Sequence, residues 1–160
     1  MDNTKKQIDT FRQLVDLGTT EVYYGIDAYI IPLQKRIEVA QSPIKQIING
    51  EMVAQYHKLT NDLVNRVIAS RVDKGLSIKN LIRQTDSNLE IEKSNPDTLK
   101  ETRLLPEGFE LEGIFTVFGN YISFISMEME QSVGIIVNNK IIADMFHNIF
   151  DTVWEASKPF

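Results

Sequence analysis

The segment 44–82, IKQIINGEMVAQYHKLTNDLVNRVIASRVDKGLSIKNLI, decides the fold. Short apolar runs at its two ends, Ile44–Ile48 and Leu76–Ile82, predict strands. Between them a helix is predicted from about Met52 to Lys74, since its apolar residues recur at helical spacing, and Gly75 is suited to a left-handed C-cap. A strand, a long helix and a second strand are typical of a right-handed crossover between parallel strands.

The same alternation extends towards the N-terminus. Glu21–Tyr24 is rich in β-formers and predicts a strand. Asp27 is a candidate cap for the helix that follows, which carries Ile30, Leu33, Ile37 and Ala40 on one stripe. We expect Pro32 in the first turn, with the helix beginning near Ile31, because proline has no N–H to donate inside a helix.

The second half of the chain has a different pattern. Residues 84–98 are mostly polar and predict an exposed loop, after which the strands are expected to be antiparallel. The Gly119-Asn120 pair predicts a two-residue hairpin. Asn139 is expected to cap a last helix over about 140–157, whose apolar residues are predicted to face inward: Ile141, Ile142, Met145, Phe146, Ile149, Phe150, Val153 and Trp154. The expected fold class is therefore α/β, with a mixed parallel and antiparallel sheet flanked by helices.

Composition excludes several classes of protein. The chain has 160 residues, a net charge of −5 and no cysteine, which removes disulfide scaffolds, thiolate zinc sites and thiol nucleophiles. It contains neither a secretory signal pattern nor an apolar run long enough to span a bilayer, so we expect a cytoplasmic protein without a membrane partner. Residues 84–160 carry 5 basic and 13 acidic side chains, a balance that disfavours direct binding to nucleic acid.

No catalytic, cofactor or metal residues are predicted. His57 and His147 are interpreted as surface or packing histidines, and neither has a lysine two residues later. The acidic residues Glu107, Glu110 and Glu112 match no calcium loop, and Glu128 and Glu130 are interpreted as solvent-facing. The glycines form no phosphate-binding fingerprint, and no residues are assigned to ligand binding.

The first helix, predicted over residues 3–17, is a candidate dimerisation element. Ile8, Phe11 and Val15 are spaced like one seam of a coiled coil. A helix of this length is marginal in water unless its apolar face packs against something. Pairing with a second copy and packing onto its own domain are both compatible with the pattern.

Several short motifs give the chain a resemblance to the TrmB-like transcription regulators. They are Thr102–Pro106, the hairpin at Gly119-Asn120 leading into Tyr121–Ser126, Gly134–Ala143, and Phe146–Phe150 followed by Trp154-Glu155. Upstream, Val22–Ile26 and the helix that ends at Asp73-Lys74-Gly75 come in the expected order. The similarity extends over about residues 19–157.

This resemblance implies a phospholipase-D-like effector domain over residues 19–160, preceded by a linker helix over residues 1–18. The family joins this domain to an N-terminal winged helix, which we do not find in this chain, so we expect contact with DNA only through such an absent domain. Phospholipase-D enzymes need a histidine followed two residues later by a lysine. Because His57 and His147 lack that lysine, we expect no enzymatic activity.

The resulting hypothesis is a non-catalytic regulatory, effector and dimerisation domain that forms a homodimer and is open to a small-molecule effector. One alternative is a standalone interaction protein that pairs with winged-helix relatives. A less favoured alternative is a degenerate phosphodiesterase-like hydrolase. The effector, the operator, the regulated genes and the dimer geometry are left unassigned.

Overall fold

The computed structural model describes residues 18–41, 43–94, 99–126, 128 and 131–160, without the side chains of residues 57, 61 and 94. The predicted helix over residues 3–17, with its candidate dimerisation residues Ile8, Phe11 and Val15, lies outside the described residues. The predicted linker over residues 1–18 is therefore described only at Gly18, and the predicted domain boundary after residue 18 stays a prediction.

The described residues form eight strands and four helices. The strands are β1 (Thr19–Tyr24), β2 (Ile44–Ile48), β3 (Ile78–Ile82), β4 (Lys100–Leu104), β5 (Gly113–Phe118), β6 (Tyr121–Ser126), β7 (Val133–Asn138) and β8 (Lys158–Pro159). The helices are α1 (Asp27–Val39), α2 (Gly50–Asp73), α3 (Asp86–Ser94) and α4 (Lys140–Ala156).

All eight strands belong to one mixed sheet with the order β1-β7-β6-β5-β2-β3-β4-β8. The pairs β2·β3 and β3·β4 are parallel, whereas the other neighbours run antiparallel. The predicted hairpin is confirmed, since β5 and β6 pair from Phe118↔Tyr121 outward across Gly119-Asn120. The prediction for the strand at 100–104 was wrong. It was expected to begin an antiparallel region, but β4 pairs in parallel with β3.

The sheet separates two apolar cores. On one face, α1 and α2 cover a cluster that includes Tyr29, Ile44 and Phe118. On the other face, α4 covers a cluster centred on Phe115, Phe150 and Trp154. Alternate residues of β2, β3, β5 and β6 therefore point to different cores, as the two-residue period of a strand requires.

Helix α1 begins earlier than predicted. Asp27 is its first residue and not its cap, and Pro32 lies inside the helix and not in its first turn. Proline cannot donate to the carbonyl four residues before it, here that of Ala28. That carbonyl packs closely against Gly134 of β7, where the absence of a side chain allows the helix to approach the sheet.

The segment predicted as an exposed loop contains α3, so that prediction was wrong. The Thr85 hydroxyl accepts a bond from the Asn88 backbone N–H at 3.2 Å, which is the usual N-cap interaction. The buried Asn88 side chain then accepts from the Glu51 N–H at 3.1 Å and so holds α3 against the start of α2. The polar composition of this segment gave no helical signal, because α3 is held in place by contacts with residues distant in sequence.

Helix α4 begins as predicted, with the Asn139 side chain accepting from the Ile142 N–H at 3.0 Å. Its inward face is narrower than predicted, however. Ala143, Phe150 and Trp154 are buried, and four residues that were expected inside are exposed: Ile141, Ile142, Met145 and Ile149. The apolar stripe of α4 is wider than the line along which the helix touches the sheet.

Candidate functional site

A cavity of about 130 Å³ lies between the sheet and the helices α1 and α2. Apolar residues form most of its wall, including Leu33, Val53, Val67 and Ile68. Polar side chains enter it from α1, α2, β2, β3, α3 and β4: Arg36, Arg71, Gln46, Asn80, Asn88, Glu92 and Lys100. An apolar cavity with a few converging polar groups is typical of a small-molecule site.

The floor of the cavity belongs to a row of polar residues that crosses the middle of the sheet. The registers of five strands place five side chains beside one another on the face covered by α1 and α2, in the order Thr102, Asn80, Gln46, Thr116 and Ser123. Four of these are buried, with Asn80 only 1% exposed and Gln46 only 7% exposed. Buried amides require hydrogen-bond partners, so this row constrains whatever packs above it.

Part of that requirement is met by a short chain of side-chain hydrogen bonds. Arg36 of α1 donates from Nη1 to Gln46 Oε1 at 2.6 Å. Gln46 in turn donates from Nε2 to Asn80 Oδ1 at 3.1 Å. The chain ties helix α1 to strands β2 and β3, so a group that binds in the cavity contacts the link between the helix and the sheet.

The charged groups that line the cavity are mainly cationic. They are Arg36, Arg71 and Lys100 against the single carboxylate of Glu92. Glu92 is neutralised by Lys100 at 3.0 Å and also accepts from the Thr102 hydroxyl. Arg71 is 1% exposed and donates to the Leu76 carbonyl at 2.6 Å. The mainly apolar wall of the cavity therefore carries three cationic side chains and one carboxylate among the described residues.

Tyr29, a residue of α1, forms another part of the cavity wall. It is 1% exposed, and its ring lies 4.8 Å from that of Tyr56. Burial raises the pKa of the Tyr29 hydroxyl well above its ordinary value, although the positive charge of Arg36 opposes this shift. The hydroxyl therefore keeps its proton at neutral pH.

This arrangement supplies groups that can bind a ligand. Arginine, glutamine, asparagine and a protonated tyrosine offer hydrogen bonds and positive charge to a bound group. Within the described parts of the chain, His, Asp and Glu side chains form no group that could hold a metal ion. What the site can do is hold a small ligand between α1, α2 and the sheet.

The residues singled out in the sequence lie elsewhere. His147, on α4, bonds through Nε2 to the Gly119 carbonyl at 2.9 Å and so packs against the β5–β6 hairpin. Glu110 and Glu112 both face Arg83, at 3.6 and 3.7 Å. Glu107 is exposed, and Glu128 is exposed as predicted. The His57 side chain and Glu130 lie outside the described residues.

The cavity residues were missed by sequence reasoning, although one signal was present. IKQII and IKNLI each carry an amide at the third position of an otherwise mainly apolar strand. Two strands predicted to be parallel neighbours bring such positions together, as the pairing Gln46↔Asn80 shows. Nothing comparable indicated Arg36 or Arg71, which reach the cavity from helices.

A second surface of interest is the outer face of α4. Ile141, Met145 and Ile149 are 74%, 57% and 50% exposed and recur every four residues, so they form one apolar strip. Gly18, the first described residue, packs against Asn138 and Asn139 at the N-terminal end of that strip. A contiguous exposed apolar strip is typical of an interaction surface.

Comparison with known proteins connects the fold to solved structures. No family model matches the chain, and no curated protein matches it in sequence. TrmBL2, an archaeal chromatin protein with a novel mode of DNA binding, has a TM-score of 0.60 and 14% identity, and the match covers 98% of this chain and 61% of TrmBL2. The chain thus spans less than two thirds of TrmBL2.

Two further solved structures are similar as well. The match to Nuc from Salmonella typhimurium, a phospholipase D family member, has a TM-score of 0.65 and 12% identity over 89% of this chain and 97% of Nuc. NucT from Helicobacter pylori has a TM-score of 0.63 and 12% identity, with coverages of 89% and 99%. At such low identities these likenesses establish the fold alone, and the predicted phospholipase-D-like fold is confirmed.

None of the helices within the described ranges combines the length and the apolar character needed to cross a membrane.

Proposed function

We propose that the chain is a non-catalytic regulatory domain of a TrmB-like regulator, which dimerises and senses a small ligand. The observation that carries this proposal is the likeness to TrmBL2, which extends over 98% of this chain. In this proposal the domain works in the cytoplasm, and contact with DNA requires a winged-helix domain outside this chain.

Ligand sensing is supported by the position of the cavity. It lies where α1 and α2 meet the sheet, and its Arg36–Gln46–Asn80 chain links the helix to two strands. A ligand that bonds to these groups stabilises one placement of α1 over others, which shifts the population of conformations. Helix α1 follows directly after β1, so that shift is transmitted towards the N-terminal segment.

Dimerisation is proposed through residues 3–17, with Ile8, Phe11 and Val15 forming the seam. The support is the heptad-like spacing of these residues. A second support is the exposed apolar strip on α4, next to the point where this segment joins the domain at Gly18.

The absence of catalysis is supported by the contacts of His147. Its Nε2 is engaged with a hairpin carbonyl, and no lysine stands two residues after it or after His57. Incubation with a chromogenic phosphodiester is expected to give no turnover above that of buffer. Turnover that is lost in both a His57→Ala and a His147→Ala variant would contradict the proposal.

The decisive measurement is the solution molar mass of residues 1–160, by light scattering, beside a form that lacks residues 1–17. We expect a dimer that becomes a monomer on deletion, because the seam is removed. A matched control is Ile8→Ala with Phe11→Ala and Val15→Ala in the full chain, which removes only the apolar contacts. A monomer in the intact chain refutes the proposed dimer, and a dimer in both forms moves the interface to the α/β body.

A further inference from the structure

We infer that residues 3–17 pack as a helix against their own domain, with Leu14 and Leu17 seated in an open apolar corner between α4 and β1. The inference rests on the proposed dimerisation for one point only, namely that the predicted seam faces a second copy. The α4–β1 corner consists of exposed or half-buried apolar residues of β1, β7 and α4: Val22, Tyr24, Ile135, Ile142, Met145 and Ile149.

The sheet contributes the floor of this corner. Val137 of β7 packs against the core that α4 covers. Ile135, two residues earlier, faces the same side of the sheet, and so does Val22, its neighbour across the strand pair β1·β7. Tyr24 continues this row along β1. Since Val22 is 46% exposed and Tyr24 is 71% exposed, the described helices leave this part of the sheet face uncovered.

Helix α4 contributes the wall of the corner, where it crosses β6, β5 and β2. Asp151 of α4 pairs with Lys45 at 2.8 Å, and Lys45 lies close to the β5–β6 hairpin. Ile142 and Ile149 lie about 160–180° from Asp151 around the helix. This flank therefore faces the other end of the strands, where Tyr24 lies. The charged residues of α4 all lie on the hairpin flank: Lys140, Asp144, Asp151 and Glu155.

The sequence of residues 3–17 suits a helix with two apolar neighbours. Projected as a helix, its apolar residues span one half of the circumference, about 180°. A two-stranded coiled coil covers only the narrow seam of a and d positions. Leu14 and Leu17 lie about 60° and 120° beyond Phe11, to one side of the seam, so pairing with a second copy leaves them exposed. The charged residues fall in the opposite half: Lys5, Lys6, Asp9, Arg12 and Asp16.

Gly18 places this segment beside the corner. Its backbone packs closely against Asn138 and Asn139, directly before α4 begins. In a helix that rises 1.5 Å per residue, Leu14 lies only about 6 Å from Gly18, and Ile142 lies about 4.5 Å from Asn139. Leu14 therefore comes next to the first turn of α4, with Leu17 closer still to Gly18.

The lengths of the two elements also agree. Gly18 has a φ of +70°, a conformation typical of the residue that follows a helix, and it lets the chain turn into β1. Fifteen helical residues span about 22 Å, and the six residues of β1 span about 20 Å. A helix that turns back over β1 thus covers the corner along its length. Docking ties the direction of the seam to β1, whose other neighbour is α1.

The first test is a disulfide crosslink in residues 1–160, which contain no cysteine of their own. We expect Leu14→Cys with Ile142→Cys to form a disulfide within one chain on oxidation with copper–phenanthroline. On a non-reducing gel the product then migrates faster, without a doubling of its mass. The matched control is Leu14→Cys with Asp144→Cys, because Asp144 is only two residues further along but lies on the charged flank of α4. We expect the control pair to crosslink more slowly.

The second test compares two pairs of substitutions in the full chain. Leu14→Asp with Leu17→Asp removes the docking contacts, so we expect the backbone amides of the α4–β1 corner to shift in ¹H–¹⁵N spectra. Ile8→Asp with Val15→Asp disrupts only the seam. We expect this second variant to become a monomer by light scattering while the amides of the corner keep their positions.

Unchanged corner amides in the variant with Leu14→Asp and Leu17→Asp would overturn the inference, as would equal crosslinking of the two cysteine pairs or a disulfide that joins two chains. An intact chain that is a monomer and forms the disulfide within one chain contradicts the proposed dimer and leaves the docking intact. A dimer that does not form this disulfide contradicts the docking and leaves the dimer intact.

Discussion

Gly134, the second residue of β7, is a point at which the backbone of helix α1 lies close to the sheet. A β-carbon added there would lie 2.8 Å from Ala28 Cα and 3.0 Å from its carbonyl carbon, with the carbonyl oxygen nearer still. These are backbone atoms, which cannot rotate away as the end of a flexible side chain can. Gly134→Ala therefore requires α1 to move outward or β7 to bend.

The expected cost follows from two opposing effects. Moving α1 away loosens the packing of Tyr29, Leu33 and Ile37, all of which α1 buries. Overpacking of this kind typically costs about 1–3 kcal/mol, and a contact with unyielding backbone belongs at the upper end. Replacing glycine by alanine also restricts the unfolded chain and recovers about 0.4–1 kcal/mol. We expect a net loss of about 2 kcal/mol in the free energy of unfolding.

The assay is urea denaturation followed by far-ultraviolet circular dichroism, with Gly75→Ala as the matched control. Gly75 has a φ of +67° and nothing within 4 Å of an added β-carbon, so this control isolates the penalty of the left-handed backbone. That penalty of about 1–2 kcal/mol is offset by the same unfolded-state gain, which leaves a loss of about 0.5–1 kcal/mol. If Gly134→Ala costs no more than Gly75→Ala, the close approach of α1 does not limit stability and the reasoning is refuted.

Two further changes test the interior and the caps. Because burial raises the pKa of Tyr29 in the folded protein, stability should be complete below about pH 10 and fall as pH rises further, where only the unfolded chain loses this proton. We expect Tyr29→Phe to reduce this loss when the free energy of unfolding is measured by urea denaturation at increasing pH. Tyr24→Phe, at an exposed position, is the control. If the free energy of unfolding falls equally steeply with pH in both variants, the assignment to Tyr29 is contradicted. Asn139→Ala should cost about 1 kcal/mol, because it removes the acceptor for the Ile142 N–H at the start of α4. Asn139→Asp should retain most of the stability, and identical midpoints for both Asn139 variants would show that the cap contributes nothing.

Local signals predicted the elements whose causes are local. The Gly119-Asn120 pair predicted the β5–β6 hairpin, and Gly75 predicted the end of α2, with a φ of +67°. Asn139 predicted the start of α4 through a bond to a residue only three positions away. In each case the residue that signals the element also makes the interaction that forms it.

Elements held by distant contacts were misjudged. Helix α3 has a polar composition, and its position depends on the bond between Asn88 and the Glu51 N–H, 37 residues away. Pro32 was expected in a first turn but lies in the interior of α1, and this helix packs through Ala28 against Gly134, which is distant in sequence. Neither contact can be inferred from the composition of a short window.

The sequence by itself determined the α/β class, the alternation of strands and helices, and the presence of an apolar stripe on α4. Only the tertiary structure decided which part of that stripe is buried, with Ala143, Phe150 and Trp154 against the sheet and Met145 outside. Only the tertiary structure also placed Arg36, Arg71, Gln46 and Asn80 in the lining of one cavity. The physical reason is that periodicity records how apolar each face of an element is, whereas burial and site geometry depend on which neighbour that face meets.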